Sequence, residues 1–300
     1  MHRDSLKIGM IGLDTSHVTA FAQILHDPAS PHNARITTAY AGGSMDIDLS
    51  IGRVAQFTED LQVRFGTFIV ESPEEVAHAC DAIMIETIDG RKHLELFQQI
   101  APFGKPVFID KPLTVTSKDA KTILSLSKTH NVPWFSSSAL RFNDAFVNAL
   151  KNSSDQGEII GVDVFGPMEL IDVIPGYFWY GIHSVEMVFA ALGSGCEAVQ
   201  VTGNSNHDIL VGSWSDGRCA SVRGNRKGNE SFGGTIHREK GSFSFDCSQM
   251  TIPHYAHLLD HIISFFRGST PPVNPEETLQ VIRFLEAANK SRTTGMKVNL

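Results

Sequence analysis

The chain has few cysteines, and they form no recognisable disulfide or metal-binding pattern. Its 300 residues include four cysteines, Cys80, Cys196, Cys219 and Cys247, and none of them forms a C-x-x-C pair. Small secreted domains carry dense cysteines and zinc domains carry paired ones, so neither class is indicated. We therefore expect no metal site and a reducing, cytoplasmic environment.

The sequence also lacks long apolar runs and any excess of positive charge. No uninterrupted apolar stretch reaches the roughly 20 residues that span a bilayer. Met1-His2-Arg3-Asp4 leads directly into a short strand with no long apolar core, so we expect no signal peptide. The formal net charge is -8 at pH 7. Because no basic surface is available to neutralise phosphates, we expect a small-molecule ligand and neither nucleic acid nor a membrane as partner.

What is present is the pattern of two domains that differ in kind. As far as Phe142, short apolar runs alternate with helical patterns, which is typical of βαβ units and a parallel sheet. From about Gly157, strand-like segments follow one another across Gly, Asn and Asp turns, which indicates a mainly antiparallel sheet. We predict an α/β Rossmann domain at residues 1–141. An α+β domain with a large, mainly antiparallel, open-faced sheet follows at residues 142–300.

A carboxylate and an ammonium end one apolar strand, Phe108-Ile109-Asp110-Lys111-Pro112. Pro112 cannot donate to a strand ladder, so pairing is expected to end just after Lys111. In open α/β sheets, ligands bind beyond the carboxyl ends of the strands. Asp110 and Lys111 are therefore site candidates by position, with a solvated strand end as the alternative.

Several short motifs occur together in one order along the chain. They are Ile8-Gly9-Met10-Ile11-Gly12, Thr87 followed by His93, Gly104-Lys105-Pro106, Asp110-Lys111-Pro112, Arg141-Phe142, Gly157-Glu158-Ile159, Gly181-Ile182-His183 with Glu186, and Leu285-Glu286-Ala287-Ala288. In this order the chain resembles the glucose-fructose oxidoreductase/inositol dehydrogenase (Gfo/Idh/MocA) family over essentially its whole length. The resemblance implies a Rossmann domain, an open-faced α+β domain, NAD or NADP as cofactor, and sugars, cyclitols or similar polyols as substrates.

The dinucleotide loop departs from the G-x-G-x-x-G fingerprint, because Asp14 replaces the second glycine and His17 the third. A carboxylate at this position repels phosphates unless it turns away, whereas the helix N-terminus that follows favours an anion. We predict that the loop still receives a dinucleotide, with Asp14 turned toward the helix amides. The predicted contacts are Gly12, Leu13, Asp14, Thr15 and Ser16. The alternative is that Asp14 caps the helix and no dinucleotide binds.

The resemblance implies further cofactor contacts at Gly42, Thr87, His93, Asp110 and Lys111. The second strand lacks the terminal acid that holds the ribose of NAD. Small residues after that strand leave room for a 2'-phosphate, which Arg53 could pair with. A solvated loop explains the same residues, so the choice between NAD and NADP stays open.

The resemblance places the substrate side at Arg141, Trp179, Tyr180, His183 and Glu186. His183 and Glu186 are three residues apart on one predicted helix, so a carboxylate there could support the imidazole as a proton acceptor. A surface pair is the alternative. The family commonly has an aspartate where this chain has Trp179, so the proton has to be taken by another group. Lys111, His183 and Tyr180 are the predicted catalytic residues.

We therefore predict an NAD(P)-dependent oxidoreductase acting on a secondary alcohol of a sugar, cyclitol or related polyol. One alternative is a non-catalytic ligand-binding descendant that has lost cofactor use. Another is an enzyme that holds its cofactor tightly and catalyses net-neutral redox, such as epimerisation or glycoside cleavage. The uncovered sheet face predicts a homodimer or homotetramer.

Overall fold

The computed structural model describes residues 5–300, and the first four residues of the predicted first domain lie outside the described residues. The chain divides into two compact units. The first comprises the residues up to Thr114 together with Lys118–Ser137 and Leu258–Pro275, and the second comprises Val115–Ser117, Ser138–His257 and Glu276–Leu300. This division is discontinuous, whereas the sequence predicts one boundary after residue 141.

The first unit contains a six-stranded parallel sheet. Its strands are β1 (Leu6–Ile11), β2 (Ala34–Tyr40), β3 (Phe68–Val70), β4 (Ala82–Ile85), β5 (Val107–Asp110) and β6 (Trp134–Ser137). They lie in the order β3-β2-β1-β4-β5-β6. Every residue of β4 and β5 is buried, as expected for central strands covered on both faces. The strand order reverses between β1 and β4, and sheets of this kind bind ligands beyond the carboxyl ends of the strands at that point.

Helices connect these strands. They are α1 (His17–His26), α2 (Asp48–Glu59), α3 (Pro73–Ala79), α4 (His93–Ile100) and α5 (Ser117–His130). The bounds of α1 agree with its apolar residues at helical spacing. In contrast, α2 was not among the predicted helices, because it has no apolar stripe: only Ser50 is buried in it.

The second unit contains a seven-stranded sheet. Its strands are β7 (Ile159–Pro167), β8 (Cys196–Gly203), β9 (His207–Trp214), β10 (Cys219–Asn225), β11 (Gly233–Arg238), β12 (Gly241–Asp246) and β13 (Val298–Asn299). Their order is β12-β11-β7-β10-β9-β8-β13, with β7 and β10 parallel and the other pairs antiparallel. Buried residues alternate with exposed ones along β9, where Leu210 is buried and Val211 is 41% exposed. One face is therefore open, as predicted.

The remaining helices are α6 (Asp144–Asn152), α7 (Ile182–Leu192), α8 (His254–Phe266) and α9 (Pro275–Thr294). Almost all of α7 is buried, and it ends at Gly193, whose φ of 69° is readily adopted only by glycine. Within residues 5–300, no helix is long and apolar enough to cross a bilayer.

Candidate functional site

The turn between β1 and α1 begins at a glycine that no other residue could replace. Gly12 has a φ of 84°, and a Cβ built on it would lie 2.7 Å from the backbone nitrogen of Thr87. Gly42, after β2, has a φ of 61°, and its Cβ would lie 3.3 Å from the Cα of Gly12. Three loops therefore approach one another closely through backbone at the carboxyl edge of the sheet.

Asp14 turns into the protein rather than toward the N-terminus of α1. Its carboxylate accepts hydrogen bonds from the Ser50 hydroxyl (2.5 Å), the Thr87 hydroxyl (3.2 Å) and the backbone N–H of Ile88 (2.9 Å). Burial raises the pKa of Asp14, and these hydrogen bonds oppose the rise. The prediction that Asp14 faces the helix amides is wrong, and so is the alternative that it caps the helix. The reason is that α2 and the loop after β4 offer three donors, whereas the N-cap of α1 is Ser16, which makes no side-chain cap.

The other loop residues divide between the interior and the surface. Leu13 is fully buried, and its backbone N–H donates to the Ala41 carbonyl oxygen (2.8 Å), so it offers a ligand no donor. Thr15 is also buried, and its hydroxyl accepts the backbone N–H of His17 (2.9 Å). Ser16 is exposed at the start of α1. The Gly12 N–H donates to the Tyr40 carbonyl oxygen (2.9 Å), so the predicted loop offers a ligand the space beside Gly12 and the Ser16 end of the helix, not five side chains.

A small cavity of about 120 Å³ adjoins this glycine turn. Its lining includes Gly12, Gly42, Thr87 and Lys92. Arg91 is paired with Asp46 and Asp89. Arg53 donates weakly to the Asp14 carbonyl (3.5 Å). A role for Arg53 toward a 2'-phosphate stays a prediction.

The His93 ring contacts backbone carbonyl oxygens after β4 and β5 rather than a cofactor site. It is completely buried. Its Nδ1 lies 2.8 Å from the Pro112 carbonyl oxygen and 3.1 Å from that of Leu113, and its Nε2 lies 2.9 Å from the Thr87 carbonyl oxygen. The expectation that the His93 side chain contacts the cofactor is therefore wrong, because both ring nitrogens are engaged with backbone. His93 instead links the loop after β4 to the segment that carries Lys111.

Lys111 and Asp110 occupy the end of β5, as predicted. Asp110 is 1% exposed, and its carboxylate accepts the backbone N–H of Lys111 (2.8 Å). Burial lowers the pKa of Lys111, and the charges of Asp110 and Asp14 oppose that shift. The Lys111 ammonium is thus a positive charge at the edge of a group of buried carboxylates.

A cluster that the sequence did not reveal lies beside these residues. His17 Nδ1 is 3.3 Å from Glu86 Oε2 and 3.4 Å from Asp110 Oδ1. Burial lowers the pKa of His17, but the charges of Asp110 and Glu86 outweigh it and the pKa is raised. Burial also raises the pKa of Glu86. The only sequence signal was the histidine in place of the third glycine, since Glu86 and Asp110 belong to other strand ends.

In the second unit, His183 lies near the start of α7 and is held by a hydroxyl. Its Nδ1 is 2.7 Å from the Ser138 Oγ. The ring also packs edge to face against Tyr180 at 5.2 Å and against Phe232 at 5.8 Å. Burial raises the pKa of Tyr180, with the ionisation of nearby Tyr255 as a smaller cause. His183 and Tyr180 are therefore neighbours, as predicted, and the phenol is made less acidic by its surroundings.

Glu186 binds Arg141 and not the predicted partner, His183. Its carboxylate accepts a hydrogen bond from Arg141 Nε (2.8 Å), and the same guanidinium binds Glu277 (2.5 Å). Burial raises the pKa of Glu186, and the Arg141 charge opposes the rise. The expectation that Glu186 supports the His183 imidazole is wrong, because the carboxylate is taken by Arg141. Arg141 and Glu186 form a buried ion pair, so their assignment to substrate contact stays only a prediction.

Trp179 is buried, with 8% of its surface exposed. Its indole Nε1 has no hydrogen-bond partner among residues 5–300. Tyr180, in contrast, lines a cavity of about 630 Å³ together with Glu169, Asn225 and Lys227. This volume lies in the ordinary range for small-molecule sites.

The residues of the first unit fit a dinucleotide. Gly12 and Gly42 keep the space that a Cβ would fill, and Ser16 opens a helix N-terminus at the switch point of the sheet. The repulsion expected from Asp14 does not arise, because its carboxylate is hydrogen-bonded inward.

Comparison with known families agrees with this geometry. Residues 6–137 match the model of GFO_IDH_MocA, described as an oxidoreductase family with an NAD-binding Rossmann fold. This segment belongs to the Gfo/Idh/MocA oxidoreductases. The resemblance inferred from the sequence is thereby confirmed for this segment. The expectation of an oxidoreductase that uses NAD or NADP is confirmed at the level of the family. A search of curated proteins found no match.

Solved structures show a likeness in fold over both units. GenD2 from gentamicin A biosynthesis, in complex with NAD, is 16% identical with a TM-score of 0.82, covering 100% of this chain and 97% of its own. A myo-inositol dehydrogenase from Corynebacterium glutamicum is 16% identical with a TM-score of 0.79, covering 99% of each chain. Scyllo-inositol dehydrogenase from Lactobacillus casei, with bound NAD(H) and scyllo-inositol, is 15% identical with a TM-score of 0.78, covering 99% of each. At this identity the likeness shows a shared fold, which confirms the predicted fold class.

Proposed function

We propose that this Gfo/Idh/MocA-type chain is an NAD(P)-dependent dehydrogenase that oxidises a secondary alcohol of a sugar, cyclitol or related polyol, or catalyses the reverse reduction. The observation that carries the proposal is the inward Asp14 carboxylate beside the Gly12 turn, because it leaves the helix N-terminus available to an anion. The inositol dehydrogenases among the structural neighbours support the substrate class.

The first unit would hold the cofactor. The N-terminal end of α1 at Ser16 would bind the pyrophosphate in the space that the Gly12 turn leaves open, and the cavity beside Gly42 and Thr87 would receive part of the nucleoside. NAD or NADP, when bound, supplies the hydride acceptor or donor. Lys111 at the end of β5 would hold its positive charge toward the reacting hydroxyl, and His93 keeps its segment in place through the carbonyl oxygens of Pro112 and Leu113.

The second unit would bind the polyol. Glu169, Asn225 and Lys227 give the cavity of about 630 Å³ a carboxylate, an amide and an ammonium. Groups of these kinds match the hydroxyls of a polyol by accepting and donating hydrogen bonds. Tyr180 adds an aromatic wall, since it stacks on Phe232 at 6.2 Å.

His183 is the proposed acceptor of the hydroxyl proton. An imidazole ordinarily titrates near neutrality, whereas burial raises the pKa of Tyr180 and makes the phenolate harder to form. Ser138 fixes the orientation of the His183 ring through its contact with Nδ1. Trp179 occupies the position of the family's aspartate and carries no titratable group. We therefore assign acceptance of the hydroxyl proton to His183.

We also propose a homo-oligomer and a cytoplasmic location. The exposed face of the second sheet carries apolar side chains such as Ile160, 52% exposed, and Val211, 41% exposed, which a second copy would cover. All four cysteines are free, which suits a reducing compartment.

The deciding experiment titrates the purified protein with NADH and with NADPH by fluorescence, and then assays NAD(P)-dependent oxidation of a panel of inositols and sugars. We expect binding of at least one cofactor and turnover of at least one polyol. Cofactor binding by wild type and Lys111→Ala, with turnover lost only in Lys111→Ala, would support the assigned roles. Binding of polyol without either cofactor would instead establish the non-catalytic alternative. A cofactor that copurifies and never exchanges would favour net-neutral redox.

A further inference from the structure

The carboxyl ends of three neighbouring strands each contribute one buried side chain to a single cluster. His17 follows β1 at the start of α1, Glu86 follows β4, and Asp110 ends β5. Their exposed fractions are 5%, 0% and 1%. One ligand atom from each lies within 4.8 Å of the other two. The cluster, which we call the His17 cluster, thus brings one imidazole nitrogen and two carboxylate oxygens around one point.

The distances suit a shared cation better than a direct ion pair. Hydrogen bonds between an imidazolium and a carboxylate are typically about 2.7–2.9 Å long. The separations here are 3.3 Å to Glu86 and 3.4 Å to Asp110. Donor atoms bound about 2.0–2.1 Å from a tetrahedral zinc ion lie roughly 3.3–3.4 Å from one another. The distances from His17 Nδ1 to the Glu86 and Asp110 oxygens therefore equal the separation between two ligand atoms of one tetrahedral zinc ion.

One oxygen of the cluster lacks a partner. Glu86 Oε1 is buried and makes no hydrogen bond to any group among residues 5–300, while Oε2 of the same carboxylate faces His17. An unpaired carboxylate oxygen away from water is costly, so such atoms are normally satisfied by a donor or an ion. This orphan oxygen is an observation separate from the spacing, and it also points to a missing cation.

The charge of the surroundings leads to the same conclusion. Glu86 and Asp110 are two carboxylates in one buried cluster, and the Asp14 carboxylate lies close enough to act on the charge of Glu86. Lys111 supplies one positive charge at the edge of the group. A divalent cation between the two carboxylates would neutralise both of their charges.

We propose that His17, Glu86 and Asp110 bind a first-row divalent cation, with Zn²⁺ as the ion that the donor set fits best. Imidazole combined with carboxylates favours Zn²⁺ and its neighbours over Mg²⁺ or Ca²⁺, which prefer oxygen ligands alone. Three protein ligands leave a fourth tetrahedral position for water or for an oxygen of a bound molecule. The site does not depend on the proposed dehydrogenase activity.

The test uses the full chain, freed of any affinity tag, treated with EDTA and dialysed. Isothermal titration with ZnCl₂ should show one site per chain, and the thermal unfolding temperature should rise in its presence. His17→Gln and Glu86→Gln should each weaken this site by at least about a hundredfold, since loss of a ligand costs more than loss of a group behind it. His26→Gln is the matched control, because it makes the same substitution at the last residue of α1, outside the cluster, and its affinity for Zn²⁺ should stay within a fewfold of wild type.

Two results would overturn the proposal. One is a folded wild-type protein that binds no Zn²⁺, and the other is a site whose affinity is unchanged in His17→Gln and Glu86→Gln, which would place the ion elsewhere among the 13 histidines. If the variants do not fold, an anomalous difference map at the zinc edge from wild-type crystals soaked in ZnCl₂ decides directly. A peak between the three side chains supports the site, and its absence overturns it.

Discussion

The hydroxyl of Ser50 donates a 2.5 Å hydrogen bond to the carboxylate of Asp14, and this contact joins α2 to the turn that follows β1. Both residues are fully buried. Asp14, which departs from the dinucleotide fingerprint, therefore stabilises the turn through its hydrogen bonds. A glycine at this position would leave space for the ligand because it has no side chain. Asp14 leaves that space because hydrogen bonds hold its carboxylate inside the protein.

Replacing Asp14 with glycine should destabilise the protein. The change leaves the Ser50 hydroxyl and the Ile88 N–H without their acceptor, which should lower the free energy of unfolding by on the order of 2–3 kcal/mol. Dinucleotide affinity should fall or stay the same. Urea unfolding and fluorescence titration measure the two effects. Asp14→Asn, which keeps an acceptor for Ile88, should lose less stability. Tighter binding by a fully stable Asp14→Gly would show that the carboxylate faces the ligand after all.

Removing the Lys111 ammonium should abolish activity while the fold persists. Loss of one positioned electrostatic contact in an active site typically lowers turnover on the order of a hundredfold or more. Lys121→Ala removes an exposed lysine from α5 of the same unit and should leave turnover unchanged. Steady-state kinetics and thermal unfolding of both variants make the comparison. Full activity of a folded Lys111→Ala would remove Lys111 from the mechanism.

His183→Asn should reduce turnover more than Tyr180→Phe, because the imidazole is the better proton acceptor and burial raises the pKa of the phenol. Both variants should keep cofactor affinity. Ser138→Ala, which removes the partner of Nδ1, should lower turnover by less than His183→Asn does. The pH profile of turnover should lose its ascending limb near neutrality in His183→Asn alone. A wild-type profile in that variant would place the base elsewhere.

Arg141→Met should destabilise the second unit strongly. It leaves the buried Glu186 carboxylate without its guanidinium, and breaking a buried pair in this way costs about 3–5 kcal/mol. Combining Arg141→Met with Glu186→Gln should recover part of the loss, since the uncompensated charge is then gone. Urea unfolding compares the two variants. If Arg141→Met is as stable as wild type but binds polyol poorly, the predicted substrate role of Arg141 is the better assignment.

His26 should make stability fall in mild acid. Its Nε2 accepts the backbone N–H of Ile36 (3.2 Å), and burial, together with the charge of Arg35, lowers the pKa of His26. Because the folded pKa is below the unfolded value, the contribution is complete above about 6.5 and is lost as the pH falls through the folded pKa. His26→Gln keeps an acceptor but cannot titrate there. Unfolding temperatures measured across this range should therefore decline more steeply in wild type than in His26→Gln.

Local pattern predicted much of the fold and the outline of the site. Apolar residues at helical spacing defined α1, and a continuous apolar run ending at Asp110 and Lys111 defined β5. In contrast, α2 was not predicted, because it buries little more than Ser50, and Ser50 matters only through its contact with Asp14. His93 was assigned to the cofactor from its motif, although its ring turned out to bind backbone carbonyl oxygens.

The sequence by itself determined the division into two kinds of domain, the family resemblance and the strand ends that carry the candidate residues. These properties are encoded in periodicity, turn residues and short motifs that lie close together along the chain. Only the tertiary structure decided where the Asp14 carboxylate points, that Glu186 binds Arg141, and that His17 meets Glu86 and Asp110. The physical reason is that a side chain takes its direction from donors and charges on other elements. The order β1-β4-β5 brings residues from distant parts of the chain to one edge of the sheet.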